Sequence, residues 1–440
     1  MTVVVGIACA AGLCLSACAG EPHPAGRAPT PTSTETVFPP TAPGDLDFWL
    51  AQLRQIHPDP FHGVAEATFV AALNKLKAEL SELSPQQLIV EVTRVNALLS
   101  SGGRDGHQWA TPADGHSGPA LPLRVYEFAE GVTITAATST YQELVGSEIV
   151  AINGHPIGDV LAAIEPLVPR DGPSTVPDFR PPFLVRTDIL TGLGLAREGP
   201  VELTLSRAGV MTTTTVAPVD YGAYLGWVGE LGAIQLPERD DTLYLSDEQD
   251  VLWSKTLPTG TEGSVGSSVY LRFTQVRVPE NQALADARIA LAAPDVQRVV
   301  LDLRQNPGGD NHANPTITSL LTDYRQAHSA GAIVVITDRG TFSAAANLAT
   351  DVEQMFHPTF VGEPMGGGLN FWDDVRSVRL DNLAVPMRVA ISTKYWQESG
   401  SDDPRLTIQP QITLPVTAAD YFDDRDPALA AALTVTAAQP

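Results

Sequence analysis

The stretch Val299-Val-Leu-Asp-Leu-Arg-Gln-Asn-Pro-Gly-Gly-Asp310 decides the fold. Residues 299–303 form an apolar run of strand length, which reads as a buried parallel strand. The run stops at Asn306-Pro-Gly-Gly309, whose glycines permit conformations and close approaches that other residues forbid. Open α/β sheets place ligand sites where strands end in such turns. A second unit of the same kind follows: Ala332-Ile-Val-Val-Ile-Thr337 as a strand, the turn Asp338-Arg-Gly340, then Thr341-Phe-Ser-Ala-Ala-Ala346 entering a helix. Ser343 stands at the start of that helix. Side by side, the two units aim backbone N–H groups and one hydroxyl at a single point, as a nucleophilic serine requires. The donors for an oxyanion would be the Ala344 amide, at the helix N-terminus, and an amide of Gly308 or Gly309. Spacing alone leaves a second reading open, in which Ser343 simply caps a packed helix.

Around this centre, residues 219–440 alternate strand and helix patterns and read as one α/β layer domain. Strands are expected at 268–273, 360–362, 375–380 and 387–392, and helices at 281–292 and near 423–432. Residues 119–218 read as a β-rich module, with Gly146-Ser-Glu-Ile-Val-Ala-Ile-Asn-Gly154 forming a strand and an Asn-Gly turn. Residues 45–118 read as a helical domain. Its clearest signal is Ser84-Pro-Gln-Gln87, which combines an N-cap, a first-turn proline and a capping-box glutamine. Ser101-Gly-Gly-Arg-Asp-Gly-His107 then breaks the helical pattern and places His107 in a loop between domains.

The chain has 440 residues, enough for two or three domains, and a net charge of −24, which argues against nucleic acid or anionic lipid as a direct partner. Cys9, Cys14 and Cys18 are the only cysteines, so the folded part carries no disulfide or thiolate chemistry. Residues 1–18 are an apolar run ending in Leu15-Ser-Ala-Cys18, which reads as an export signal. That ending resembles the bacterial lipobox, and the resemblance implies lipidation of Cys18, with residues 19–44 as a Pro/Thr-rich tether and the membrane met only through the lipid. His57 and His62 lie close in sequence, but the prolines around them suggest a structural turn, so no metal is expected, and with neither a phosphate-cradling loop nor a dinucleotide fingerprint in the sequence no cofactor is expected.

Asp302-Leu-Arg-Gln-Asn-Pro-Gly-Gly309 and Gly340-Thr-Phe-Ser-Ala-Ala345 together resemble the signature of the C-terminal-processing and tricorn-core family of serine peptidases. Gln55-Ile-His-Pro-Asp-Pro60, Asp105-Gly-His107, Thr407-Ile-Gln-Pro-Gln-Ile412 and Asp426-Pro-Ala-Leu429 also resemble family segments, with Gln411 where an Asp is usual. The resemblance implies a crotonase-like (ClpP-like) α/β catalytic domain, an N-terminal helical domain and a PDZ-like module presenting peptide ends. One branch of the family uses a Ser-Lys dyad. The matching turn here, Gly362-Glu-Pro-Met-Gly-Gly-Gly368, holds no lysine. The tricorn-like branch uses a histidine from before the PDZ module, and His107 matches its place, although Gly106 stands where tricorn has a serine. The resemblance therefore implies Ser343 as nucleophile, His107 as general base and Glu398 as orienting carboxylate, with Asp402 and Asp403 as rivals. The implied function is an exported peptidase. A binding protein on the same scaffold and an esterase or amidase using the same serine are the alternatives.

Overall fold

The computed structural model describes residues 40–113, 115–231, 236–239, 241–246, 249–258 and 266–436. The export signal, Cys18 and nearly all of the tether lie outside the described residues. Among the described residues, no helix is long and apolar enough to cross a membrane.

The Thr41 hydroxyl accepts from the Gly44 amide at 3.2 Å and caps α1 (Ala42–Ile56), so helix reaches back past the expected tether boundary at residue 44. The chain continues through α2 (Glu66–Glu79) and α3 (Pro85–Ala97). The capping box at Ser84 forms as its sequence implies. The Ser84 hydroxyl accepts from the Gln87 amide at 3.2 Å, and the Gln87 side chain accepts from the Ser84 amide at 2.9 Å. Trp49, Phe69, Leu73, Leu88, Val92 and Val95 bury the inner faces of the three helices. Next come the loop bearing His107 and β1 (Ala110–Pro112).

The β-rich module runs β2 (Leu123–Glu127), β3 (Val132–Ala137), β4 (Glu148–Ile152), β5 (His155–Pro156) and α4 (Ile157–Ile164). The Asn-Gly turn between β4 and β5 takes positive φ at both Asn153 (49°) and Gly154 (78°), the type I′ requirement. The Pro-rich stretch after it folds into α5 (Thr175–Phe179), α6 (Pro181–Leu184) and α7 (Thr187–Gly192). Then β6 (Val201–Arg207) and β7 (Val210–Val216) complete a sheet in the order β2-β3-β4-β6-β7, with β5 paired to β4.

After α8 (Tyr221–Glu230) the α/β domain is built from β8 (Leu252–Pro258), β9 (Ser267–Phe273), α9 (Asn281–Leu291), β10 (Val296–Asp302), α10 (Asn314–Ala327), β11 (Ala332–Thr337), α11 (Ala344–Phe356) and β12 (Thr359–Gly362). It continues with β13 (Asn370–Asp373), β14 (Arg376–Leu380), β15 (Met387–Ile391), β16 (Lys394–Gln397), β17 (Ile412–Thr413), α12 (Ala418–Phe422) and α13 (Pro427–Ala432). The main sheet has the order β17-β12-β11-β10-β9-β8, and every pair is parallel except β8 with β9. Val299 and Leu301 of β10 face the core shared with α9, α10 and α11, while Val300 faces the core shared with α13. Both faces being covered explains the unbroken apolar run. Two pairings join distant parts of the chain. β1 lies antiparallel to β15, with Ala110 opposite Val389, and β13 pairs with β16, with Asp373 opposite Lys394.

A buried charge network fastens the end of β10 to the C-terminal helix. Arg304 binds the Asp302 carboxylate at 2.5 Å and the Asp426 carboxylate at 2.8 Å, and lies 3.8 Å from the Tyr244 ring centroid. Tyr270 adds its hydroxyl to Asp302 at 2.9 Å, and Asp426 also caps α13 by accepting from the Leu429 amide at 2.9 Å. Burial on its own would raise the Asp302 pKa, but Arg304 holds it below the ordinary carboxylate value. Removing the cation strands two carboxylates beneath the sheet. We expect Arg304→Ala to lower the unfolding free energy by about 3–5 kcal/mol in urea titrations. A loss under about 1 kcal/mol would show the network to be dispensable.

Candidate active site

The two strand-turn units seen in the sequence are laced together. Thr341 donates its hydroxyl to the Leu303 carbonyl at 2.8 Å, and the Phe342 amide donates to the Asn306 carbonyl at 3.0 Å. Asn306 spans between, accepting from the Gly308 amide at 3.0 Å and donating to the Phe273 carbonyl at 2.8 Å. Gln305 donates its amide and its side chain to the buried Asp338 carboxylate at 2.9 and 2.5 Å. Gly308, at φ 96°, lies so close that a Cβ there would fall 2.7 Å from Ser343 Cβ and 2.8 Å from the Ala344 nitrogen. Ser343 itself adopts φ 51° and ψ −128°, a strained conformation for a residue with a Cβ. Strained strand-to-helix turns of this kind hold the nucleophile in α/β-hydrolase folds.

The Ser343 hydroxyl donates to Asp373 Oδ2 at 3.3 Å, and His107 Nε2 lies 3.3 Å from the same oxygen. His107 is stacked between Phe342 and Phe371, at centroid distances of 4.6 and 5.5 Å, and its Nδ1 is buried without a partner. Burial raises the Asp373 pKa above the ordinary carboxylate value, and His107 opposes that rise. One carboxylate oxygen thus links nucleophile and imidazole. The sequence reading did not include Asp373. Its signal was an aromatic strand, Asn370-Phe-Trp, closed by two acids, the second of which, Asp374, has φ 54°.

The structure places Glu398 elsewhere. Its backbone carbonyl accepts from the Gln354 side chain, and its carboxylate lies near Asp351 and Lys394. No hydrogen bond or ion pair joins it to His107 or Ser343 among the described residues. The physical reason is register. Asp373 pairs with Lys394 and Asn370 with Gln397, so Glu398 sits at the far end of the ribbon from Asp373. Asp403 is held by Arg405 at 2.8 Å, and Asp402 is exposed, so neither reaches the imidazole.

Three residues, Asp171, Arg104 and Asp105, hold the His107 loop. Asp171 accepts from the Gly106 amide at 2.6 Å and the Gly368 amide at 3.1 Å, tying the loop to the glycine turn after β12. Arg104 accepts at its carbonyl from the Trp372 amide at 2.7 Å and donates to the Asn370 carbonyl at 3.2 Å. Asp105 is buried and receives Ser392 at 2.7 Å, Gln108 at 2.6 Å and His57 Nε2 at 3.2 Å. His57, His62 and Asp105 bring ligand atoms within 4.8 Å of one another. However, His57 Nδ1 accepts from the Asp59 amide at 3.0 Å, which puts the imidazole proton on Nε2, facing Asp105. That tautomer leaves His57 no lone pair for a cation, and the cluster reads as a latch on the loop.

Of the expected oxyanion donors, the Gly308 amide is consumed by Asn306, whereas those of Ala344 and Gly309 have no acceptor among the described residues. A cavity of about 490 Å³, lined by Arg170, Gly172, Arg180, Glu127 and Glu165, lies beside the Asp171 loop and away from Ser343.

No family model matches the chain, and no curated protein matches it. Its fold is similar to that of mature CPAF complexed with lactacystin, at TM-score 0.62 and 15% identity over 87% of this chain and 95% of that one. A second structure of mature CPAF aligns at TM-score 0.57 and 14% identity over 87% and 94%. A photosystem II D1 C-terminal processing protease aligns at TM-score 0.40 and 16% identity, over 89% of this chain and 96% of that one.

Asp171 supplies a pH test. Burial raises its pKa to about 6, against the opposing effects of His107 and the two amides. Because the folded pKa lies above the unfolded one, the native state binds the extra proton between about pH 4 and 6. This group therefore adds stability below about pH 4 and loses it as pH rises through 6, a change of about 3 kcal/mol. The difference in unfolding free energy between wild type and Asp171→Asn should shrink by that amount from pH 4 to pH 7. A pH-independent difference would contradict the assignment.

Proposed function

We propose that this chain is a serine peptidase that cleaves peptides through an acyl-enzyme on Ser343. The observation that carries this reading is the strained Ser343 turn, whose hydroxyl shares Asp373 Oδ2 with His107 beside two unpaired amides. The Ser343 proton passes to the Asp373–His107 pair as Oγ bonds to the substrate carbonyl carbon. The Ala344 and Gly309 amides receive the oxyanion, each worth about 3 kcal/mol in the transition state. The pair returns the proton to the leaving amine, and water repeats the sequence to release the acyl group. In this reading Asp373 stands between Ser343 and His107 and takes the hydroxyl proton with the imidazole behind it, whereas the orienting place expected of Glu398, on the far nitrogen of His107, has no hydrogen-bond partner.

The same reading extends to the rest of the chain. We assign the sheet at 219–440 to a crotonase-like catalytic domain and the module at 119–218 to a PDZ-like carrier of substrate ends. Export and attachment through a lipid on Cys18 are supported by Leu15-Ser-Ala-Cys18.

Peptide hydrolysis by the purified protein should fall to background in Ser343→Ala. It should fall by about 10²–10⁴-fold in kcat in His107→Ala and in Asp373→Asn. Ester turnover without peptide cleavage would point to an esterase. Turnover surviving Ser343→Ala would overturn the proposal.

A further inference from the structure

α1 ends at Ile56, and Pro58 keeps the chain from continuing the helix, so His57 leaves it extended, at φ −82° and ψ 125°. Its amide closes the last turn on the Leu53 carbonyl at 3.0 Å. The residue is 2% exposed, and its Nδ1 accepts from the Asp59 amide at 3.0 Å, which leaves the proton on Nε2. Local chemistry alone therefore fixes where the imidazole points.

Two elements distant in sequence meet it. Nε2 donates to Asp105 Oδ2 at 3.2 Å, two residues before His107. The ring packs on Trp372 at a centroid distance of 4.5 Å, and His62 packs against both rings, at 5.5 and 5.8 Å. Trp372 lies in β13 between Phe371, which stacks on His107, and Asp373, whose Oδ2 both Ser343 and His107 reach. Alternation along the strand puts Trp372 on the opposite face from Phe371 and Asp373, so His57 sits away from the reacting groups. It thus touches both the loop that carries the imidazole and the strand that carries the carboxylate. That loop and that strand are also bonded to each other. The Trp372 amide donates to the Arg104 carbonyl at 2.7 Å. Ser392 donates to Asp105 Oδ1 at 2.7 Å, and the next amide, that of Thr393, donates to the Asp373 carbonyl at 2.9 Å. These bonds and His57 make one frame.

The spacing that the frame sets has little slack. Asp373 Oδ2 lies 3.3 Å from both the Ser343 oxygen and His107 Nε2, near the outer limit of a hydrogen bond. A displacement of about 1 Å at a reacting group costs about 10²-fold in rate. Without the His57 donor, the buried Asp105 carboxylate keeps only the Ser392 and Gln108 side chains, and an acid short of a partner is costly to hold in place.

We propose that His57 is a positioning residue of the peptidase site: it holds the His107 loop through Asp105 and the Asp373 strand through Trp372, and so fixes the distance between imidazole and carboxylate. This rests on the serine peptidase reading above and gives the helical domain a part in that site.

The test separates the two ring nitrogens. His57→Gln places an amide N–H where Nε2 stands and keeps the bond to Asp105. His57→Asn places a carbonyl where Nδ1 stands, keeps the Asp59 bond and does not reach Asp105. With a peptide substrate, kcat should fall by about 10–100-fold in His57→Asn with KM within about twofold, and stay within about threefold of wild type in His57→Gln. Trp372→Leu opens the frame from the strand side and should lower kcat by a similar factor. In the double variant His57→Asn/Trp372→Leu the two losses should not multiply, because either change opens the same frame. An unchanged kcat in His57→Asn, equal losses in His57→Asn and His57→Gln, or losses that multiply in full overturn the inference while leaving the peptidase intact. A second readout does not need turnover. The Trp372 amide, bonded to the loop, should exchange its hydrogen about tenfold faster in full-chain His57→Asn than in His57→Gln, and equal rates overturn the positioning role. Whether the chain is a peptidase at all is judged separately, by loss of hydrolysis in Ser343→Ala.

Discussion

The close approach of two turns, residues 305–309 and 338–344, is the constraint on which the site depends. Gly308 is pressed so near Ser343 and the Ala344 nitrogen that only the absent Cβ makes room. Asn306 and Thr341 fix the spacing by hydrogen bonds that cross between the turns. The strain at Ser343 persists because both turns hang from adjacent parallel strands, β10 and β11, whose register is set by five paired residues from Arg298 with Ala332 to Asp302 with Ile336. A shift of that register by one residue would exchange the residues of β10 that face its two helix layers, so the sheet core and the position of the Ser343 turn are fixed together.

The imidazole arrives from far away in sequence and needs separate fastening. Asp105 and Asp171 do this with buried carboxylates, one accepting three side chains and the other two backbone amides. Buried acids are costly unless their oxygens are filled, and here nearly every filling bond reaches a different part of the chain. The loop is thereby tied to the end of α1, the glycine turn and the region after β15, and Arg104 adds the tie to β13.

What the sequence revealed and what it hid follow a physical rule. Local patterns were legible: the strands flanking the Asn-Pro-Gly-Gly turn, the Ser84 capping box, the Asn153-Gly154 turn and the Ser343 helix start all depend on neighbours within a few residues. The family resemblance named Ser343 and His107, and the structure brings both to one oxygen of Asp373 rather than to each other. The carboxylate was not legible. Glu398 and Asp373 both lie after the serine in acid-bearing segments, and only the pairing of β13 with β16 decides which reaches the histidine. The bond between His57 and Asp105, and the occupation of the Gly308 amide by Asn306, are likewise products of tertiary contact. The glycine signature marked the turn but could not say which amide stays free.

The central claim is that Ser343 is an activated nucleophile served by the Asp373–His107 pair. Intact-mass analysis after treatment with a fluorophosphonate probe, followed by peptide mapping, tests it most directly. The account predicts one adduct, on Ser343, whose formation is strongly slowed in Asp373→Asn and in His107→Ala. A folded wild-type protein that takes no adduct, or an adduct that maps to another serine, would contradict it.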